Sequence, residues 1–189
     1  MSLVDLDKTL FKFINGLNTP LLDELFWLFS AKLFWLPLYL FLAYLLYQRF
    51  RNHFFYLVIG MVITIFLSDQ ISVYIKNSVM RLRPTHDPSL EGLVHTVNNY
   101  QGALYGFISS HAANAFATLT FIWAFTRRQA WLRYVLMVYV ALTCYSRIYL
   151  GVHFPLDVLG GIILGWIIGF LGSRISWFLL SKNVFNLKS

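Results

Sequence analysis

Five stretches of this chain lack any charged side chain, at residues 33–48, 54–68, 112–126, 134–146 and 158–173. A bilayer core of about 30 Å asks for about 20 helical residues. Each stretch falls short of that, so each span has to recruit polar residues at its ends. The expected spans are 32–50, 54–76, 110–127, 131–149 and 155–177. The fold class that follows is all-α, a polytopic transmembrane helix bundle of about five spans.

Composition agrees. Only 12% of the residues are charged, about half the roughly 25% of an ordinary soluble domain. Fifteen Lys and Arg against eight Asp and Glu leave a net charge of +7. A basic excess points either to nucleic acid or to a membrane protein with basic loops. Nucleic-acid modules cluster their cations on a polar face. Here they are spread around apolar runs, so the expected partner is the bilayer and no nucleic acid. A hydrophobic content of 58% excludes intrinsic disorder. The single cysteine, Cys144, excludes a disulfide scaffold.

The first 30 residues differ from the rest. Leu3, Leu6, Leu10, Phe13, Ile14 and Leu17 recur at helical spacing, with Asp5, Asp7, Lys8 and Lys12 among them. That pattern predicts an amphipathic helix on the membrane surface. Thr19 and Pro20 open a second short helix, whose Asp23 and Glu24 argue against a sixth span. The expected organisation is interfacial helices over 1–30 and a transmembrane bundle over 31–189, one domain overall. No cleavable signal peptide is expected, because the chain lacks a basic start and has an acid by Asp5.

Five spans put successive connections on alternating sides. One side receives Arg49, Arg51, Arg127, Arg128, Arg133, Arg174, Lys182 and Lys188, with no acid. The positive-inside rule makes it cytoplasmic, together with the C-terminus. The N-terminal helices, the 77–109 loop and the 148–156 turn then face the periplasm or exterior.

The polar span ends all fall on that outer side. Lys76 closes the second span, with Arg81, Arg83 and Pro84 just beyond. Ser109, Ser110 and His111 open the third, Ser146 and Arg147 close the fourth, and His153 and Asp157 open the fifth. Cations at span ends are costly without partners. Nearby acids are too few for Lys76, Arg81, Arg83 and Arg147, so an anionic ligand is the natural partner. Guanidinium forks fit phosphate oxygens. Ser109 and Ser110 precede a helix, where free amides and the positive dipole end favour an anion, although Ser109 also suits a plain N-cap. A carboxylate four residues after His153 can fix its tautomer and leave the other ring nitrogen to attack. His111 then suits protonation of the leaving oxygen.

These residues give the sequence a family resemblance. Lys76-x6-Arg83-Pro84, Ile108-Ser109-Ser110-His111 and Ser146-Arg147-x5-His153-x3-Asp157 stand in the order of the three motifs of the membrane type-2 phosphatidic acid phosphatase superfamily. That superfamily shares its core with vanadium haloperoxidases. The first and third motifs match in full. In the second, Ile108 and Ser110 stand where the family has Pro and Gly. The resemblance implies a lipid phosphatase in which His153 is the nucleophile, Asp157 orients it and His111 is the general acid. Lys76, Arg83, Ser109, Ser110 and Arg147 would hold the phosphoryl oxygens. Arg81, extra to the core pattern, would reach a headgroup or second phosphate. No metal or cofactor is implied. Undecaprenyl diphosphate is the first-choice substrate, with a lipid A phosphate and phosphatidylglycerol phosphate next, in a bacterial inner membrane with the site outside.

Three further features carry expectations. Asp69 lies two turns before Lys76, suited to a salt bridge or hydrogen bond within the bundle, with a proton-relay role as the alternative. Gly161, Gly165, Gly169 and Ser173 form a small-residue stripe continuous with Asp157, suited to close helix packing. Residues 85–107, with His86, Asp87, Glu91, His95, Asn98, Asn99 and Tyr100, form either a headgroup-reading loop or a solvated one. The competing readings are an anion transporter, which predicts charges along a pathway, and a non-catalytic membrane scaffold. The one-sided polar cluster and the intact His and Asp positions disfavour them.

Overall fold

A computed structural model describes residues 2–126 and 129–186, with residue 32 and residues 182–186 described by backbone alone. Of the cations expected on the cytoplasmic side, Arg127, Arg128 and Lys188 lie outside the described residues, as does the side chain of Lys182. Among the described residues the seven α-helices are α1 (Leu3–Asn15), α2 (Pro20–Ser30), α3 (Leu36–Arg49), α4 (Phe54–Val79), α5 (Ser110–Phe125), α6 (Ala130–Tyr149) and α7 (Pro155–Asn186). Among the described residues there is no strand, only an isolated antiparallel bridge between Leu82 and Tyr105.

Local chemistry explains the helix ends. Ser2 and Asp5 form a reciprocal capping box at the start of α1. Thr19 caps α2 ahead of Pro20 in its first turn. Ser109 caps α5. Met80 ends α4 in the left-handed region at φ 51°, its N–H bonded to the Lys76 carbonyl at 3.0 Å.

Two helical segments, Arg51–Val79 and Pro155–Ser181, are long and apolar enough to cross a membrane. A third is added if Pro20–Ser30 and Leu33–Arg49, bent by 73° to each other, form one span. Length and apolarity therefore single out two or three of the expected five spans. The reason lies in the packing. At 16 residues, α5 is only about 24 Å long, and it is the inner helix, packed on α4, α6 and α7. A helix walled by other helices needs no lipid-length apolar surface.

The small-residue stripe packs α7 on α5 within the chain. A Cβ on Gly161 would sit 2.5 Å from the Ser109 carbonyl, and one on Gly169 would sit 2.6 Å from the Ala117 carbonyl. The two backbones touch along this line, which brings the start of α7 beside the start of α5. Aromatic and aliphatic side chains cover the far faces, among them Phe55, Phe66, Trp166 and Phe170.

Helix α1 turns Asp7, Phe11 and Asn15 inward and leaves Leu3, Leu6, Leu10 and Phe13 exposed beside Asp5 and Lys12. Asp7 and Asn15 are 2% exposed and Phe11 is fully buried, whereas Leu3 and Phe13 are each 66% exposed. Asn15 binds backbone groups of both His95 and Tyr149. Lys8 pairs with Asp87 at 2.6 Å, and Phe11 packs edge-on against Phe154.

Candidate active site

The site forms where the ends of α4, α5, α6 and α7 meet under the 80–109 loop. The left-handed turn at Met80 reverses the chain after Lys76. The loop is then pinned by Arg83 N–H on the Leu104 carbonyl at 3.1 Å and Gly106 N–H on the Arg81 carbonyl at 2.8 Å. Arg83 is thereby folded inward and 7% exposed. It donates from Nε to the Tyr105 carbonyl at 3.0 Å and from Nη1 to the Val152 carbonyl at 3.3 Å. Gly102 sits at φ +70°, and a Cβ there would lie 2.6 Å from Arg83 Nη1. Only glycine combines that conformation with that closeness.

Across from Arg83, the chain leaves α6 and turns into α7 with His153 and Asp157 at 1% and 0% exposure. The Arg147 carbonyl accepts from the amides of both Val152 and His153 at 3.2 Å. Asp157 accepts the Phe154 amide on Oδ2 at 2.9 Å, and its carbonyl accepts the Ser109 amide at 2.9 Å. That last bond joins the start of α7 to the start of α5. His153 Nδ1 lies 3.6 Å from Asp157 Oδ2, beyond hydrogen-bond range. Nδ1 has no hydrogen-bond partner among the described residues.

At the start of α5, Ser109 is buried and its hydroxyl accepts the Ala112 amide at 3.4 Å. Its side chain thus acts as the N-cap. The amides of Ser110 and His111 fall at the helix start, where they have no intrahelical acceptor. Ser110, which stands for a family glycine, is helical and needs no positive φ. Its hydroxyl accepts from Lys76 Nζ at 3.0 Å and from Ser72 at 2.6 Å. The extra hydroxyl fixes the lysine. His111 follows on the same turn and is half-buried.

Three cations therefore converge from three elements, Lys76 from α4, Arg83 from the loop and Arg147 from α6. None takes part in an ion pair among the described residues. Arg147 is 2% exposed, and its Nε has no acceptor among the described residues. An unsatisfied buried donor costs about 1–3 kcal/mol, more when charged, and an anion is what would satisfy it. Burial first, and then the charges of Arg83, Arg147 and Lys76, hold the His153 ring well below the usual histidine range. The imidazole is neutral and so able to attack an electrophile.

Other expected residues fall elsewhere. Arg81 is engaged by two carboxylates: Nη1 donates to Asp157 Oδ1 at 2.7 Å and Nη2 to Asp7 Oδ2 at 2.5 Å. Asp87 and His95 of the outer loop are tied to Lys8 and to Asp23 and Asn15 of the N-terminal helices. They stitch the loop to the N-terminal helices, while Glu91, Asn98 and Asn99 of the same loop are exposed. Tyr100 does face the site, its ring 5.9 Å from the Arg147 guanidinium. Asp69 accepts from Asn114 Nδ2 at 3.1 Å, a hydrogen bond within the bundle. Asp7 was missed as a site neighbour. It is one of four charged residues on α1, and none of them reveals where that helix docks.

A family model described as PAP2 superfamily matches residues 53–180. The lipid A 4'-phosphatase of Porphyromonas gingivalis is 34% identical over 183 residues, covering 93% of this chain and 77% of that one. An undecaprenyl-diphosphatase of Sulfolobus acidocaldarius is 30% identical over 169 residues, covering 88% and 76%. The crystal structure of Aquifex aeolicus LpxE superposes with a TM-score of 0.70 at 28% identity, covering 89% of this chain and 95% of that one.

Proposed function

The chain belongs to the PAP2 superfamily, and from that premise we propose that it is an integral membrane lipid phosphatase working through a phosphohistidine on His153. The observation that carries the reading is the pairing of buried Arg147, whose Nε has no acceptor among the described residues, with the buried His153 ring, which burial and the neighbouring cations hold neutral. One group calls for an anion and the other for an electrophile, and a phosphoryl group is both. Lys76, Arg83, Arg147 and the amides of Ser110 and His111 hold its oxygens, with the Ser110 hydroxyl positioning Lys76 and Ser109 capping the helix. Nε2 of His153 attacks phosphorus as the bond to the lipid oxygen breaks, and His111 protonates that oxygen. Asp157 carries the countercharge for the imidazolium. Water then attacks the phosphohistidine, releasing inorganic phosphate and restoring the ring. No step calls for a metal.

Five spans, with the site on the periplasmic or outer face and the C-terminus cytoplasmic, suit this chemistry. Supporting that arrangement, the polar span ends gather at one end of the bundle. Arg49 and Arg133 belong to the opposite ends of α3 and α6, and Arg174 to the second half of α7. We read residues 1–30 as interfacial helices laid on a bundle formed by 31–189. The outward apolar side chains of α1, Leu3 and Phe13 among them, suit contact with lipid.

A lipid A phosphate monoester takes first place as substrate, ahead of undecaprenyl diphosphate. Similarity to a lipid A 4'-phosphatase over 93% of the chain supports it. So does the engagement of Arg81 by two carboxylates, which removes the cation that a second phosphate would have used. Purified protein offered lipid A, undecaprenyl diphosphate and phosphatidylglycerol phosphate, with EDTA present, tests this. Fastest release from lipid A is expected. Preference for the diphosphate would overturn the substrate assignment, and strict metal dependence would overturn the mechanism.

A further inference from the structure

Four ionisable side chains form a continuous line from α1 to the nucleophile. Asp7 Oδ2 meets Arg81 Nη2 at 2.5 Å. Arg81 Nη1 meets Asp157 Oδ1 at 2.7 Å. Asp157 Oδ2 faces His153 Nδ1 at 3.6 Å. Asp7 also accepts the Leu156 amide on Oδ1 at 2.9 Å, which holds the first turn of α7. The Arg81 guanidinium carbon lies over the Phe154 ring, 4.4 Å from its centroid, and Phe154 in turn meets Phe11 of α1 edge-on at 5.3 Å. Every group except Arg81 is essentially buried.

We propose that Asp7 is a positioning residue of the catalytic site, acting through Arg81 on Asp157 and so on His153, and that α1 is a working part of the enzyme. Phosphoryl transfer leaves a positive charge on the His153 ring, which Asp157 must balance. An arginine bound to Asp157 alone would cancel the carboxylate that the ring needs. Asp7 divides the guanidinium between two carboxylates, so the trio keeps one net negative charge beside the imidazole. Its second oxygen fixes the amide one residue before Asp157, and so the direction in which that carboxylate points. Arg81 makes the bridge with the two Nη groups of one planar fork, each on its own carboxylate, a geometry that a lysine ammonium does not reproduce.

The proposal rests on His153 being the nucleophile, so the test carries His153→Ala as its own control. kcat, KM and the pH profile of kcat/KM are measured on a lipid phosphate in detergent, with thermal unfolding alongside. Asp7→Asn is expected to lower kcat on the order of 10- to 100-fold with KM little changed, the scale of a misaligned reacting group. Arg81 then falls wholly to Asp157 and the imidazolium loses support. The acid limb of kcat/KM should therefore move to lower pH. Arg81→Lys keeps the charge but cannot span both carboxylates, and the same fall in kcat is expected. The double variant Asp7→Asn/Arg81→Gln should recover part of the loss of either single one, because it removes one charge of each sign.

Wild-type kcat in Asp7→Asn or in Arg81→Lys overturns the proposal. So does a loss that matches the loss of folded protein while the acid limb stays in place, or a double variant whose effects simply add. A rise in KM alone in Arg81→Lys would return Arg81 to a headgroup role and likewise overturn it. Full activity in His153→Ala sinks the reading beneath, whatever Asp7→Asn does.

Discussion

His153 Nδ1 and Asp157 Oδ2 face each other at 3.6 Å, with the carboxylate oxygen already accepting the Phe154 amide at 2.9 Å. Asp157 is thus held by its own helix start and by Arg81, independently of the histidine. Catalytic hydrogen bonds are often long before substrate arrives and tighten with it. Asp157→Asn should keep the Phe154 amide bond and the fold while removing the countercharge. Its kcat is expected to fall on the order of 10²–10⁴-fold per folded molecule, beyond the drop in unfolding temperature that comes from losing the Oδ1 acceptor of Arg81, as read by phosphate release and a thermal melt. Wild-type kcat would remove Asp157 from the mechanism.

The acid limb of the pH profile should lie below the ordinary histidine range. Burial and then three cations hold His153 neutral, and the neutral ring is the attacking form. Activity is lost only as pH falls through this lowered value, so kcat/KM should stay flat as pH drops through about 6.5. Lys76→Gln removes one of the repelling charges, lets the ring protonate more readily and should move the limb upward in pH. A limb at or above the ordinary value in the wild type, or a downward move in Lys76→Gln, would contradict this electrostatic account.

Ser110 gives a test of a single hydroxyl. It accepts from Lys76 at 3.0 Å and from Ser72 at 2.6 Å. Ser110→Gly restores the family residue but releases the lysine. A hydrogen bond to a charged group is worth about 1.5–3 kcal/mol, so kcat/KM should fall about tenfold or more. Unchanged kinetics would mean that Lys76 finds its place without Ser110.

The glycine line separates packing from chemistry. Gly161→Ala and Gly169→Ala each push a methyl into a backbone carbonyl of α5, and each should destabilise by about 1–3 kcal/mol in thermal or denaturant unfolding. Gly161 faces Ser109, whose amide binds the Asp157 carbonyl, whereas Gly169 faces Ala117 two turns away. Only Gly161→Ala should also lower kcat. An equal loss of kcat in both variants would show that helix spacing acts on the site globally.

Much of the site was legible in the residues because its parts sit at helix ends. There, a cation or carboxylate next to an apolar run is costly, and spacing along one helix fixes direction. Lys76, Arg147, His153 and Asp157 fall into that class, and the structure brings them to one end of the bundle. The partner of Arg81 was not legible, because Asp7 comes from a helix far away in sequence. Periodicity in α1 does not tell that Leu3 and Phe13 look outward while Asp7 and Asn15 turn in toward the 80–109 loop. The span count also blurred where burial by neighbours replaced contact with lipid, as in α5. There, Ala112, Ala113, Ala115 and Ala117 read as membrane-apolar but face other helices.

The covalent intermediate is the most direct test. Protein mixed with lipid labelled in its phosphate, in EDTA, is quenched in alkali within a single turnover and counted for protein-bound label. The account predicts label that is stable in alkali, lost in acid, located on the peptide containing residue 153 and absent from His153→Ala. Label that persists in His153→Ala, or full turnover by that variant, would contradict it.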